Sequence, residues 1–222
     1  AAGLVDGAVG GSTVVTTVER TAGPLHDEHI GDAELLVIVD DDVHRSLPAV
    51  ELHGTPAAQT LDTLTPVDMV AALHTGVRIG DGEAARRWRR HGALLTTALQ
   101  LGLAAGVTDL AVGYAGEREQ FGKPIGAFQA VKHRCADMIT RVEVLRAAVY
   151  AAALTADGDG VDDPDPAVAV AKVLASTSAA ACGKHAVQVL GGMGYTWEVD
   201  AHLFLKRAWV LDLAFGEGDD HA

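Results

Sequence analysis

Between Phe128 and Ala156, Val131, Cys135, Met138, Val142, Leu145 and Val149 recur every three or four residues. They form one apolar stripe along a helix of about eight turns. A stripe that long cannot be buried by local contacts; it requires other long helices beside it. The flanking sequence supplies them. Upstream, Asp81 stands as an N-cap with Glu83 in the first turn of an Ala- and Leu-rich stretch running to about Tyr114. Downstream, Pro166 opens a third helix in its first turn, Gly191 and Gly192 stop it after Leu190, and a last helix spans roughly Val199 to Phe215. Four helices joined by short turns pack most simply as an antiparallel bundle. Gly102, Gly106 and Gly113 lie inside the first helix at about 1 kcal/mol each against Ala, which close helix contact would offset.

Before residue 80 the pattern is different. Short Val-rich runs, Thr13 to Val18, Glu34 to Val39 and Ala49 to Leu52, are separated by Gly, Pro and Asp clusters. These are strands, too few to close a barrel. The expected fold class is therefore α+β: a partial β domain over residues 1–80 and a helical bundle over 81–222.

The 222 residues are 49% hydrophobic and 21% charged, a globular composition with ample material for a core. No apolar run is expected to reach the length of a membrane span. A formal net charge of −13 repels phosphate backbones, so no nucleic-acid partner is expected. Cys135 and Cys182 are too few for a disulfide framework or a cysteine zinc site, which makes a reducing cytoplasm the expected compartment. The opening residues have neither a charged n-region nor an apolar h-region, so no signal peptide is expected. His26-Asp27-Glu28-His29 has the composition of a metal cluster, but no third convergent ligand can be placed. It reads as a solvated turn on a loop before a strand, and no metal is expected. The run Arg86 to His91 is a basic stripe, either an exposed helix face or a contact for phosphates or an acidic partner.

Chemistry concentrates in two loops. In Tyr114-Ala-Gly-Glu-Arg118-Glu-Gln120-Phe121-Gly122-Lys-Pro-Ile-Gly-Ala-Phe128-Gln129, a forked cation stands among glycines. Arg118 can hold a pyrophosphate bidentately, Phe121 and Phe128 offer apolar surface to a planar ring, and Gln129 and Gln188 supply donors and acceptors. In Gln188-Val-Leu-Gly191-Gly192-Met-Gly194-Tyr195 the glycines leave no side chain in the way of a ligand. Together these suit a dinucleotide. On spacing alone, both segments also read as ordinary turns with core phenylalanines.

Both segments, in this order and with a helix of suitable length between them, resemble the signature motifs of the acyl-CoA dehydrogenase family. The resemblance covers residues 81–222 well and the β-like half loosely. It implies FAD as cofactor, with Arg118, Gln120, Phe121, Phe128, Gln129, Gln188, Gly191 and Gly192 at the adenosine and pyrophosphate end of a flavin held mainly by a neighbouring subunit, and hence an oligomer. It also implies α,β-desaturation of an acyl-CoA, with a carboxylate removing the proton next to the thioester. In the family a Glu fills one of two positions, on the first helix of the C-terminal domain or just after the last. Here they fall on Gly92, flanked by His91 and Ala93, and on Phe215, followed by Gly216. Neither is acidic.

Glu217 is the remaining candidate for a base. His91 follows four arginines that would lower its basicity. The Trp that relatives place against the flavin ring is missing from Val18 to Leu25, and the family's N-terminal helical domain has no counterpart in the sequence. The resemblance is thus to the non-catalytic member of actinobacterial α2β2 assemblies, which often act on CoA thioesters of steroid side chains and in which the other subunit carries the base. Two alternatives stay open: a self-sufficient dehydrogenase using Glu217, and a cofactor-free helical scaffold that binds a partner.

Overall fold

The structure, a computed structural model, describes residues 12–20, 25–45, 54–70, 76–158, 163–216 and 218. The expected strand Ala49 to Leu52 and the candidate base Glu217 lie outside the described residues. The chain divides into two compact units, residues 1–89 and 90–222. The division falls inside the first long helix rather than at its start.

The first unit holds two small sheets. In one, β1 (Val15–Glu19) runs parallel to β3 (Leu35–Val39), which continues antiparallel into β4 (Val43–Arg45) and β7 (Val77–Gly80). In the other, β2 (Leu25–Glu28), β6 (Val67–Val70) and β5 (Gly54–Pro56) are antiparallel in that order. Leu36, Val37, Ile38 and Val39 are fully buried, so β3 is an unbroken apolar run covered on both faces. The segment expected to be a turn before a strand, His26 to Glu28, is itself strand β2, paired with β6, and His29 follows it in the left-handed region. Pairing with β6 meets the backbone hydrogen bonds of these polar residues, which alternation alone could not reveal.

Helix α1 (Gly82–Glu117) starts as expected: Asp81 Oδ1 accepts the Ala84 N–H at 3.0 Å. That bond and the helix N-terminus hold the Asp81 carboxyl below its ordinary range. Its first turns belong to the sheet unit because Ala85 and Trp88 pack with Val37, Val39 and Val43. Part of the basic run is paired there: Arg89 donates to Glu19 Oε1 at 2.5 Å and to the Asp40 carbonyl at 2.8 Å. In the second unit Arg90 meets Asp165 at 2.9 Å. His91 is exposed.

The second unit is the bundle. After α1 come α2 (Gln129–Ala156), α3 (Asp165–Leu190) and α4 (Ala201–Leu213). Close approaches fix the antiparallel order. Cys182 Sγ reaches the Met138 carbonyl across α2 and α3, a Cβ on Gly183 would lie 3.0 Å from Leu205 across α3 and α4, and one on Gly106 would lie 3.1 Å from Phe204 across α1 and α4. The glycines thus permit the close contact expected of them at Gly106, whereas Gly102 and Gly113 have nothing near.

The stripe of α2 supplies Met138, Val142, Leu145 and Val149 to a core shared with Ala104, Val107, Ala175, Ala179, Cys182 and Ala208. Windows within Gly82–Glu117 and Asp165–Tyr195 are long and apolar enough to cross a membrane by length and composition, contrary to the sequence expectation. Both helices contribute residues to the core of this bundle, and 44% of each window is buried.

Candidate nucleotide-binding end of the bundle

The connection between α1 and α2 is more than a loop. Strands β8 (Glu119–Gln120) and β9 (Lys123–Pro124) form a minimal hairpin turned by Phe121 and Gly122, at φ 53° and 76°. Two left-handed residues are what the tight twist of a two-residue hairpin demands. Glycine adopts that region freely; phenylalanine seldom does. Arg118 closes the base of the hairpin with its main chain, its N–H donating to Tyr114 O at 2.9 Å and its carbonyl accepting from Ile125 at 2.8 Å. The guanidinium is left exposed, and among the described residues no ion pair engages it.

Phe121 is 93% exposed, an extreme value for an aromatic ring. Its sole ring contact among the described residues is edge-to-face with Phe128, centroids 6.1 Å apart. Lys123 Nζ stands 4.4 Å over the Phe128 ring, adding a second positive charge beside the aromatic pair. Gln129 begins α2 with an exposed side chain, while the amide of Gln120 is turned back onto the Glu119 carbonyl at 2.7 Å.

The second loop leaves α3 through Gly191, at φ 61° and ψ −133°, into a short 3-10 turn over Gly191–Tyr195. Nothing lies within 4 Å of a Cβ built on Gly191 or Gly192, so this stretch of backbone is open to approach. Gly194 differs from its expected role. A Cβ there would stand 2.6 Å from the Val187 carbonyl, so this glycine serves packing against α3 rather than ligand access. Gln188 is exposed on the last turn of α3.

The two loops leave the same end of the bundle, because the start of α2 lies beside the end of α3, where Cys182 Sγ reaches the Met138 carbonyl. One end therefore presents a guanidinium, an exposed ring, free amides and a bare glycine turn. Such a set can hold an anionic diphosphate and an adjoining planar base.

Strained and solvent-facing, Phe121 should contribute little to the stability of this chain. Phe121→Asn, which tolerates a left-handed φ, should leave chemical denaturation within about 0.5 kcal/mol of wild type, strain relief offsetting the lost ring contact. A loss above about 1 kcal/mol would mark the ring as core packing instead.

Two features were not visible in the sequence. The ring of Phe215 lies against Gly92, so that a Cβ on Gly92 would stand 2.5 Å from its Cδ1 and Cζ. Trp197 is exposed but braced by His202, edge-on at 4.7 Å between centroids, and by Lys206 at 5.0 Å over its ring.

Comparison with known proteins identifies the fold. A family model for the C-terminal domain of acyl-CoA dehydrogenases matches residues 80–220. Acyl-CoA dehydrogenase FadE34 of Mycobacterium tuberculosis is 44% identical over 154 residues, covering 69% of this chain and 20% of FadE34. Among solved structures, PigA with FAD and proline has a TM-score of 0.80 at 22% identity, covering 100% of this chain and 70% of that one. The ChsE4-ChsE5 complex from M. tuberculosis has a TM-score of 0.73 at 24% identity, covering 97% and 66%. At these identities the structural likeness shows the fold. The chain spans about a fifth to a third of the length of the curated relatives it matches.

Proposed function

Since this chain belongs to the acyl-CoA dehydrogenase family, we propose that it completes the FAD site of an acyl-CoA dehydrogenase assembly in which another subunit supplies the catalytic base. The contact between Phe215 and Gly92 carries this reading. These are the two positions at which the family places its Glu, and here they meet, with Phe215 packed against an apolar cluster of Ala93, Ala152, Val168 and Ala171. The Phe215 ring fills the volume that a side chain on residue 92 would need. Neither residue carries a group that could accept the proton. Proton abstraction by this chain is therefore disfavoured at the place where the family performs it.

The bundle end fits FAD, as the bare backbone at Gly191 and Gly192 and the exposed guanidinium of Arg118 indicate. When bound, FAD supplies the ring that accepts hydride. Arg118 would grip its pyrophosphate, Phe121 and Phe128 would flank the adenine, and Gln129 and Gln188 would hydrogen-bond the adenosine. The hairpin projects Phe121 away from its own chain, as required of a residue that reaches into a neighbour's site. A structural neighbour that is a complex of two different chains supports a hetero-oligomer. The substrate class is a CoA thioester, steroid side chains being one candidate acyl group. Cys135 and Cys182 are free thiols, which suits the cytoplasm.

Co-expression with the partner subunit tests this. The polypeptide alone should be colourless and inactive, and the co-purified assembly yellow and active on an acyl-CoA. Turnover by the polypeptide alone, abolished in Glu217→Gln, would make it self-sufficient instead. An assembly that forms without flavin absorbance would make it a scaffold.

A further inference from the structure

Between Pro166 and Gly183, α3 carries one charged residue, Lys172, and it is fully buried. Its Nζ donates to the carbonyls of Leu211 at 3.0 Å, Asp212 at 3.1 Å and Ala214 at 2.9 Å. An ammonium has three N–H groups, and each finds an oxygen. Leu211 and Asp212 lie in the last turn of α4, where the helix presents its negative end and, of these two carbonyls, that of Leu211 also accepts the Ala214 N–H at 3.3 Å. The third oxygen belongs to the peptide that joins Ala214 to Phe215.

We infer that Lys172 is a positioning residue, its ammonium holding the end of α4 so that residue 215 is set against residue 92. The path of the chain supports this on both sides of Phe215. Ala214 is extended, then Phe215 and Gly216 are both left-handed, at φ 57° and 91°. A left-handed phenylalanine is strained and persists only where neighbours over-determine it. Beyond the turn the chain comes back onto α3: a Cβ on Gly218 would stand 2.9 Å from Ser176 Cβ and Oγ. Ser176 lies one turn past Lys172 and bonds its carbonyl at 3.0 Å. The segment is thus pinned to α3 before and after Phe215, and the ring is directed onto Gly92. Burial pushes the Lys172 pKa down, while the Asp212 carboxylate pushes it back up. Whatever side chain occupies position 215 is aimed by a lysine from another helix.

Only what position 215 means for catalysis rests on the proposed function; the positioning itself can be tested on this chain without flavin or partner. Phe215→Cys reports on that position through its rate of labelling by a maleimide, and native Cys182, fully buried in the bundle core, reports on opening of the whole bundle. Adding Lys172→Met should raise labelling at position 215 by about tenfold or more and keep it well above the labelling of Cys182, as expected for local opening. Lys172→Arg, which keeps donors in place, should restore slow labelling to within about threefold. Should the methionine variant fail to fold, the arginine variant and amide exchange over residues 213–216 carry the comparison. Unchanged labelling at position 215 would overturn the inference, as would labelling there no faster than at Cys182. Either result leaves the flavin role untouched, and loss of the flavin role would leave this one standing.

Discussion

Lys172→Met should lower the unfolding free energy by about 3 kcal/mol. The Asp212 and Ala214 carbonyls lose their Lys172 donor, the Leu211 carbonyl is left with the Ala214 N–H alone, and a buried acceptor left unsatisfied costs about 1–3 kcal/mol. Asp212 also loses the cation that faces it. Against this, the variant no longer buries a charge, which returns part of the loss. For a chain of this size the net effect amounts to a fall in Tm of roughly 6–12 °C. Urea denaturation checks it, with Lys172→Arg expected between wild type and Lys172→Met. A methionine variant within about 0.5 kcal/mol of wild type would show that the three hydrogen bonds only offset the cost of burial.

Arg118→Ala should weaken flavin binding by the assembled enzyme about 10- to 100-fold, the equivalent of the 1.5–3 kcal/mol of a charge-assisted hydrogen bond. Its side chain is exposed in this chain, so stability of the isolated polypeptide should stay within about 0.5 kcal/mol. Arg118→Lys should fall between the two, because an ammonium keeps the charge and loses the fork. Flavin retained per assembly through gel filtration, and flavin affinity by titration of the apo assembly, are the measurements. Unchanged retention in Arg118→Ala would remove the guanidinium from the site.

How far the sequence anticipated this molecule depends on the kind of signal each part carries. The helices were legible because their cores repeat: the stripe from Val131 to Val149 and the Asp81 cap both lie where the pattern puts them. The ends of α4 were less so, Ala201–Leu213 against an expected Val199 to Phe215. Its exit is decided by Lys172 on another helix and by two left-handed residues. The loop after α1 concealed a hairpin because phenylalanine is a poor marker of a left-handed turn, and only Gly122 hinted at it. Strand β2 was misread since polar residues paired inside a sheet show no hydrophobic alternation.

In the candidate site, the residues that face solvent were legible from their chemistry, whereas Gly194 was given a ligand-facing role that its packing against Val187 corrects. Counting along the helices identified Gly92 and Phe215 as positions without a carboxylate. That they touch is a fact of bundle geometry that no single helix encodes. Lys172 carried one signal, its isolation in an otherwise uncharged stretch of α3.

The division of labour proposed for this chain is tested most directly by a cryo-EM map of the FAD-loaded, co-purified assembly, read for the groups around the two ends of the cofactor. The map should show the Arg118 guanidinium on the pyrophosphate, Phe215 closed on Gly92, and a carboxylate from the other subunit beside flavin N5. A glutamate of this chain over the ring, Glu217 included, or Arg118 in open solvent beside bound FAD, would contradict that division of labour.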